Sequence, residues 1–326
     1  MENDKDHIII YVTANFAGKN ELYKWLKRYA KDFDELFLYW DEFVFTPYDI
    51  DSYDAVLVLN TPGKKLAITS DPGRTIVLMM EPGIKTLHPW MFKGTGQYSK
   101  VFSPVADKQN IEPSHGYMGW YFDRSFHDLT FLPLPEKTRA LSCIVSSLKQ
   151  LEGHRLRLNF VTNCKKEIPA MDLFGKGINF ITDKMDGLLP YRYSLAIENA
   201  SIPYYFTEKI NDCFLAYTVP LYYGCRNIDK YFPSRSYIPI DINNSDAAIK
   251  KIRDVIENDD WNARLDAVKE ARELVLNQYQ PLAGCAAALQ SIPASQKRNI
   301  QLKPVHTSFL QKLSGLISRF SNRQSN

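Results

Sequence analysis

The chain has little that would hold a fold together covalently or around a metal. Its five cysteines, Cys143, Cys164, Cys213, Cys225 and Cys285, are odd in number and scattered. They form no CxxC pair and have no histidine at ligand spacing, so a disulfide framework and a zinc site are both excluded and the thiols read as reduced core residues. The six histidines, His7, His88, His115, His127, His154 and His306, are equally dispersed, which leaves no HExxH helix and no finger spacing. Long apolar runs are missing too. Nothing approaches the length that spans a bilayer, and the run inside the acidic start MENDKDHIIIYVTANF is too short for a signal-peptide core, so a cytoplasmic protein is expected. A glycine-rich dinucleotide fingerprint is absent, because Gly175-Lys176-Gly177 lacks the following glycine and an early helix. There is no broad basic surface of the kind that grips nucleic acid.

What is there suits two α/β domains. With 326 residues and 45% hydrophobic content the chain is long enough for two cores. The net charge is +3, yet residues 297–326 hold Lys297, Arg298, Lys303, Lys312, Arg319 and Arg323 without an acid, so the basicity is local. In the first half, short β-branched or aromatic runs (IIIYV at 8–12, ELFLYW at 35–40, DAVLVLN at 54–60, TIVLMM at 75–80) alternate with polar helical stretches. Such runs mark strands buried on both faces. Leu22, Trp25, Leu26 and Tyr29 at helical spacing between the first two predict a βαβ unit and a parallel sheet. Prolines 104, 113, 133 and 135 place an interdomain linker near 132–138. A second series follows: ALSCIVSS at 140–147, a helix near 154–164, MDLFG at 171–175, YSLAIEN at 193–199, a helix from 208, PLYYG at 220–224 and SYIPID at 236–241. The expected division is a domain over 1–135, a nucleotide-binding-type domain over 136–292, and a basic tail over 293–326. In that tail Phe309, Leu313, Leu316, Ile317 and Phe320 share one helical face, so residues 306–321 would either lie on an anionic membrane surface or dock on the protein itself.

The densest polar chemistry lies at 191–224. Thr207 is placed to cap a helix, with Glu208 and Lys209 in its first turn, where free backbone N–H groups already favour an anion. Lys209 adds a full charge there, which makes a seat for a diphosphate at the carboxyl edge of YSLAIEN, while Glu208 would hold ribose or sugar hydroxyls. A solvated helix start would show the same three residues. Arg192, Glu198, Asn199, Tyr204 and Tyr205 crowd the same unit, more polar groups than a packed core tolerates without a ligand. At 153–160, GHRLRLNF opens a helix after ALSCIVSS, so Arg157 or Arg155 would reach the same phosphates, or simply line a solvated face. In the first half TIVLMM runs into Glu81-Pro82-Gly83, which leaves a carboxylate at the lip of an apolar strand, placed as a base or as a loop residue held by amides.

The segment YRYSLAIEN…YYFTEKINDCFLAYTVPLYYG…YFPSRSYIPID resembles the donor-binding motif of glycosyltransferase family 10, the α-1,3/1,4-fucosyltransferases. The likeness spans about residues 140–241: Tyr191-Arg192-Tyr193, Glu198-Asn199 and Tyr205 to Lys209 follow the family's order and spacing. It implies α/β GT-B architecture, two Rossmann-like domains facing across a cleft, with GDP-fucose on the second and the acceptor glycan mainly on the first. Position by position it implies that Arg157 and Lys209 neutralise the diphosphate, that Tyr205 and Glu208 contact the nucleotide-sugar region, that Asn199 and Arg192 line the donor pocket, and that Glu198 supports them from behind. Glu81-Pro82 looks like the family's base segment, so Glu81 would be catalytic in an inverting single displacement. No cofactor and no divalent metal would be required. No Asp-x-Asp occurs in the donor motif, where a metal-diphosphate bridge would need one; Asp49-Ile50-Asp51 lies in a polar loop of the first domain.

The resemblance thus implies a bacterial-type fucosyltransferase acting on lipopolysaccharide or an oligosaccharide, with α-1,3 transfer to GlcNAc. Two other readings stay open: a transferase using another GDP-sugar, and a noncatalytic module that binds a nucleotide sugar or glycan. In the loop at 83–98, His88, Trp90 and Tyr98 would stack on an acceptor sugar or pack.

Overall fold

The computed structural model describes residues 7–105, 110–147 and 152–305. The chain divides into two compact units, Met1–Gly116 with Pro281–Asn326, and Tyr117–Gln280.

The first unit is built on β1 (Ile8–Ala14), α1 (Lys19–Lys27), β2 (Asp32–Phe33), β3 (Leu38–Trp40), β4 (Phe43–Thr46), β5 (Ala55–Leu59), β6 (Leu66–Ser70), β7 (Thr75–Leu78), β8 (Lys100–Ser103) and β9 (Ile111–Pro113). Eight of these strands form one sheet in the order β2-β3-β4-β1-β5-β7-β8-β9. From β4 to β9 the pairing is parallel, and Val56, Leu57, Val58, Ile76, Val77 and Leu78 are wholly buried, as the unbroken apolar runs require. The run at 35–40 departs from the expected βαβ unit: it forms β3, which pairs antiparallel with β4, and β4 is the strand that lies parallel beside β1. The turn at Asp41, which adopts a left-handed φ of 54°, folds 38–46 into a hairpin that an apolar run alone does not announce.

The second unit begins earlier than the prolines suggest. Residues 117–137 are sewn to it: the amide of Tyr121 donates to Asp212 at 3.0 Å, the Asn211 side chain to the Gly119 carbonyl at 2.7 Å, and the Tyr217 hydroxyl to the Leu132 carbonyl at 3.1 Å. Proline blocks regular ladders but not packing, and Trp120 in this stretch is fully buried. After the capped turn α2 (Phe126–Thr130) come β10 (Arg139–Ile144), α3 (Glu152–Glu167), β11 (Asp172–Phe174), β12 (Tyr191–Ile197), α4 (Glu208–Leu215), β13 (Val219–Tyr223), β14 (Ile238–Pro239), α5 (Ser245–Asn258) and α6 (Trp261–Asn277). Its sheet is wholly parallel, in the order β11-β10-β12-β13-β14. The order reverses direction between β10 and β12, so the crevice beyond the carboxyl ends of those two strands is where such a sheet binds ligands.

The chain then returns to the first unit through α7 (Pro281–Gln290) and β15 (Arg298–Leu302), which pairs antiparallel with β6. The boundaries therefore fall at 116/117 and 280/281 rather than at 135 and 292, and the start of the expected tail is a strand whose Leu302 lies in the first unit's core. The amphipathic pattern expected over 306–321 lies outside the described residues. No helix among the described residues is long and apolar enough to cross a membrane.

Candidate functional site

The switch point of the second sheet collects the polar residues of β12's carboxyl end. Glu198, one residue past β12, is 1% exposed. Its carboxylate accepts from the Thr207 amide at 2.8 Å and from the Thr207 hydroxyl at 2.9 Å, and pairs with Lys209 Nζ at 3.1 Å. Burial raises its pKa, with Lys209 working against that and Glu208 adding to it. Its role is to fix the capping residue: Thr207 has extended backbone and its hydroxyl accepts from the Lys209 amide, so α4 starts in a defined place. Lys209 Nζ also lies 3.0 Å from the Thr207 hydroxyl and 3.3 Å from Glu208. Burial works against the ionised form of Glu208, but Lys209 and then Lys184 outweigh it and bring its pKa down to about 2. Glu208 is thus a carboxylate at neutral pH, able only to accept hydrogen bonds, as ribose or sugar hydroxyls would donate.

The start of α3 completes the cluster from β10's side. Gly153 lies so close to Asn199 that a Cβ would run into the Asn199 carbonyl, so only glycine lets this helix start against the end of β12. One turn on, Arg157 is 6% exposed and donates from Nη1 to Asn199 Oδ1 at 2.7 Å, while its Nε is buried without a partner. Burial lowers the arginine's pKa; Glu198 and Glu208 are among the groups that work the other way. Two helix starts, one arginine and one lysine therefore converge beyond the same pair of strands, a setting whose free amides and cations favour an anion. Tyr205 is buried within the loop between Glu198 and α4, in electrostatic reach of Arg157.

Arg192 is the expected donor residue that the structure sends elsewhere. It stands at the amino end of β12, about 20 Å of strand rise from Glu198, where its Nε pairs with Asp259 at 3.0 Å and its Nη1 donates to the Lys137 carbonyl at 3.1 Å. The expected aromatic-basic-aromatic start therefore fastens the far end of the sheet, and Arg192 does not line the donor pocket.

Sequence reasoning missed three residues. Lys184, in the turn after β11, pairs with the buried Asp212 of α4, whose pKa burial pushes up to about 6 against the pull of that lysine. Lys184, Lys209, Ser194, Asp212 and Cys213 line a cavity of about 20 Å³ behind α4, room for one water. The third is His154, next to Gly153. None of the three carries a pattern, and each is placed only by tertiary folding.

In the first unit Glu81 emerges three residues past β7, after the buried Met79 and Met80, with 45% of its side chain exposed. His88 Nε2 lies 3.4 Å from it. Burial pushes the pKa of His88 down to about 4, so the contact at neutral pH is with a neutral ring. Gly83 turns the chain here with a left-handed φ of 65°. Trp90 and Tyr98, weighed as sugar-stacking residues, are core residues of this unit. Asp49 of the Asp-Ile-Asp run pairs with Lys19 at 2.6 Å. All five cysteines are buried free thiols, and no cluster of three or more metal-ligating side chains occurs among the described residues.

The sequence profile of the glycosyltransferase family 10 (fucosyltransferase) C-terminal domain matches residues 134–265. An alpha-(1,3)-fucosyltransferase of Helicobacter pylori is 34% identical over 74 residues, which is 22% of this chain and 16% of that protein. A putative fucosyltransferase of Acanthamoeba polyphaga mimivirus is 21% identical over 223 residues, 68% of this chain and 33% of that protein. The matches thus span a third or less of these relatives. Among solved structures, alpha1,3-fucosyltransferase with GDP aligns at a TM-score of 0.51 with 17% identity, over 83% of this chain and 84% of that one. An alpha1,3-fucosyltransferase with GDP-fucose aligns at a TM-score of 0.51 with 16% identity, over 89% of this chain and 91% of that one. That likeness is one of fold, and two Rossmann-like α/β units with parallel sheets place the chain in the GT-B class. Over residues 134–265, which hold the site just described, this chain is similar to the C-terminal domain of glycosyltransferase family 10 (fucosyltransferase).

Proposed function

We propose that the chain transfers L-fucose from GDP-fucose to a hydroxyl of an acceptor glycan, inverting the anomeric centre in one displacement. The observation that carries this reading is the convergence of Arg157 and Lys209 at the starts of α3 and α4, beyond the strands that flank the switch point. The names of the relatives, and a matched fold solved with GDP and with GDP-fucose, support the choice of donor.

In the step, the acceptor oxygen bonds to the anomeric carbon while Glu81 takes its proton. The bond from that carbon to the β-phosphate oxygen breaks, and its electron pair leaves with GDP. Arg157 and Lys209 are already in place where the negative charge grows, so they stabilise the departing diphosphate without reorganising. Fixed cations do here what a bound divalent ion does elsewhere, and the reaction requires none. Neutral His88 orients Glu81 without neutralising it. Asn199 holds Arg157 on target, and Glu208 and Tyr205 bind the nucleotide-sugar region. The acceptor follows from family likeness: GlcNAc, joined α-1,3, in a lipopolysaccharide or oligosaccharide chain assembled in the cytoplasm. A segment over 306–321 that binds anionic lipid would keep the enzyme at the inner membrane face, and liposome co-sedimentation of the full and tail-deleted chains tests that part.

The test is turnover of GDP-fucose and other GDP-sugars against acceptors ending in GlcNAc, glucose or galactose, with and without EDTA. The reading expects fucose transfer that survives chelation. Transfer from a different GDP-sugar, or GDP binding without any transfer, would replace it, and loss of all transfer in EDTA would overturn the metal-free step.

A further inference from the structure

The cluster at the switch point contains a titratable group that the step above does not use. His154 is the third residue of α3, on the turn that Gly153 brings against Asn199. Its Nδ1 is buried and has no hydrogen-bond partner, and Arg157 Nε, one turn further along, is in the same condition. A buried polar atom without a partner costs stability, and two such atoms on successive turns at the start of α3 leave hydrogen-bonding capacity there that a bound anion would take up.

The two charges that act most on the imidazole are both positive. Burial lowers its pKa first, then Arg157 on its own helix and Lys209 from α4 lower it further. The carboxylates on the facing element are already engaged: Glu198 with Thr207 and Lys209, and Glu208 with Lys209. Without ligand the ring is therefore neutral at pH 7, and a third positive charge is withheld from a place that already has two.

We propose that His154 is a further donor-binding residue, which takes up a proton as the diphosphate arrives and then donates to its oxygens as an imidazolium. The inference rests on the reading of this cluster as a GDP-sugar site. A phosphate charge about 5 Å away raises the proton affinity of a ring in such a setting on the order of a hundredfold, which offsets the two cations. The proton comes from solvent and returns there when GDP leaves, so no bond to carbon or phosphorus changes. Because binding consumes a proton, affinity falls as pH rises above 7. The terminal phosphate of GDP, with a pKa of about 6, is ionised by then and adds no opposing slope.

The experiment is calorimetric titration of the full chain with GDP at pH 7.5, in buffers of different ionisation enthalpy, repeated with His154→Gln and His154→Lys after circular dichroism shows both folded. Wild type is expected to take up about 0.5 to 1 proton per nucleotide. The glutamine variant is expected to take up none and to bind roughly 5- to 20-fold more weakly. The lysine variant, with a permanent charge, is expected to recover affinity without a pH slope. Proton uptake that persists in His154→Gln would overturn the assignment, since a merely structural histidine would weaken binding and leave the slope alone. GDP binding without proton uptake by wild type would overturn it too while leaving the donor site intact. No GDP binding by wild type would remove both.

Discussion

Glu198, Thr207 and Lys209 form a chain of dependence in which each residue is useful only because the previous one is fixed. The carboxylate has no solvent to fall back on, so Glu198→Ala leaves the Thr207 amide and the Lys209 ammonium short of a partner in a buried place. We expect a loss of about 3 kcal/mol of stability, read as a lowered midpoint in chemical denaturation. On the proposed reading, Lys209→Met removes a charge that stabilises the leaving group and should lower kcat/KM about 100-fold or more with the fold retained. Glu81→Gln should abolish transfer while leaving GDP affinity within about twofold, a split that steady-state kinetics beside calorimetry would show. At this scale the sequence is legible where function sits on consecutive residues: Thr207, Glu208 and Lys209 read as a capped helix start because they are one. It misleads at Arg192, because alternation along a strand says which face a residue takes and not which end of the strand the ligand visits. It is silent on His154, Lys184 and Asp212, whose partners come from other elements.

Helices α3 and α4 act as a pair because their starts flank the reversal of strand order. The close approach of Gly153 to Asn199 sets the distance between them. Gly153→Ala is a favourable change for an isolated helix by about 1 kcal/mol, yet here its methyl must displace the Asn199 backbone. We expect it to destabilise the chain and to weaken GDP binding about tenfold or more, measured by thermal shift with and without GDP. The opposite sign, a stabilised protein with unchanged affinity, would show that the helix start is not pinned. Strand positions in the parallel series were readable from apolar runs, because burial on both faces leaves no polar alternation to confuse. The β3–β4 hairpin was not, since an edge pair and a central parallel strand use the same aromatic and aliphatic residues and differ in the turn between them. The break between α5 and α6 at Asp259, with its left-handed φ of 43°, is likewise hidden in a continuous helical pattern.

For the molecule as a whole, the return of the chain after α6 and the burial of histidine have measurable consequences. Because β15 pairs with β6 and buries Leu302, ending the chain after residue 296 should expose that edge and lower the thermal midpoint by about 5 °C or more. His115 is fully buried, and burial pushes its pKa down to about 3 from the ordinary 6.5. Between those values the unfolded chain binds the proton and the folded chain does not, so stability is full above pH 6.5 and falls as pH drops toward 3. Glu208, with its pKa lowered to about 2, adds a loss of the same direction below the ordinary glutamate range. A series of thermal midpoints from pH 7.5 to 4 should therefore slope downward, with His115→Gln flattening the upper part of the slope. Two domains and a parallel α/β class followed from length and alternation. The crossing points did not, because prolines mark where ladders stop rather than which core a segment packs on, and Trp120 and Leu302 settle that by burial.

The central claim is that the starts of α3 and α4 together hold a nucleoside diphosphate through Arg157 and Lys209. The most direct measurement is calorimetric binding of GDP, with guanosine as the control, to wild type, Arg157→Gln and Lys209→Met, each shown to be folded. The account predicts that GDP binds wild type far more tightly than guanosine does, and that each variant loses about 100-fold in GDP affinity with little change toward guanosine. Equal affinity of GDP for wild type and both variants would contradict it.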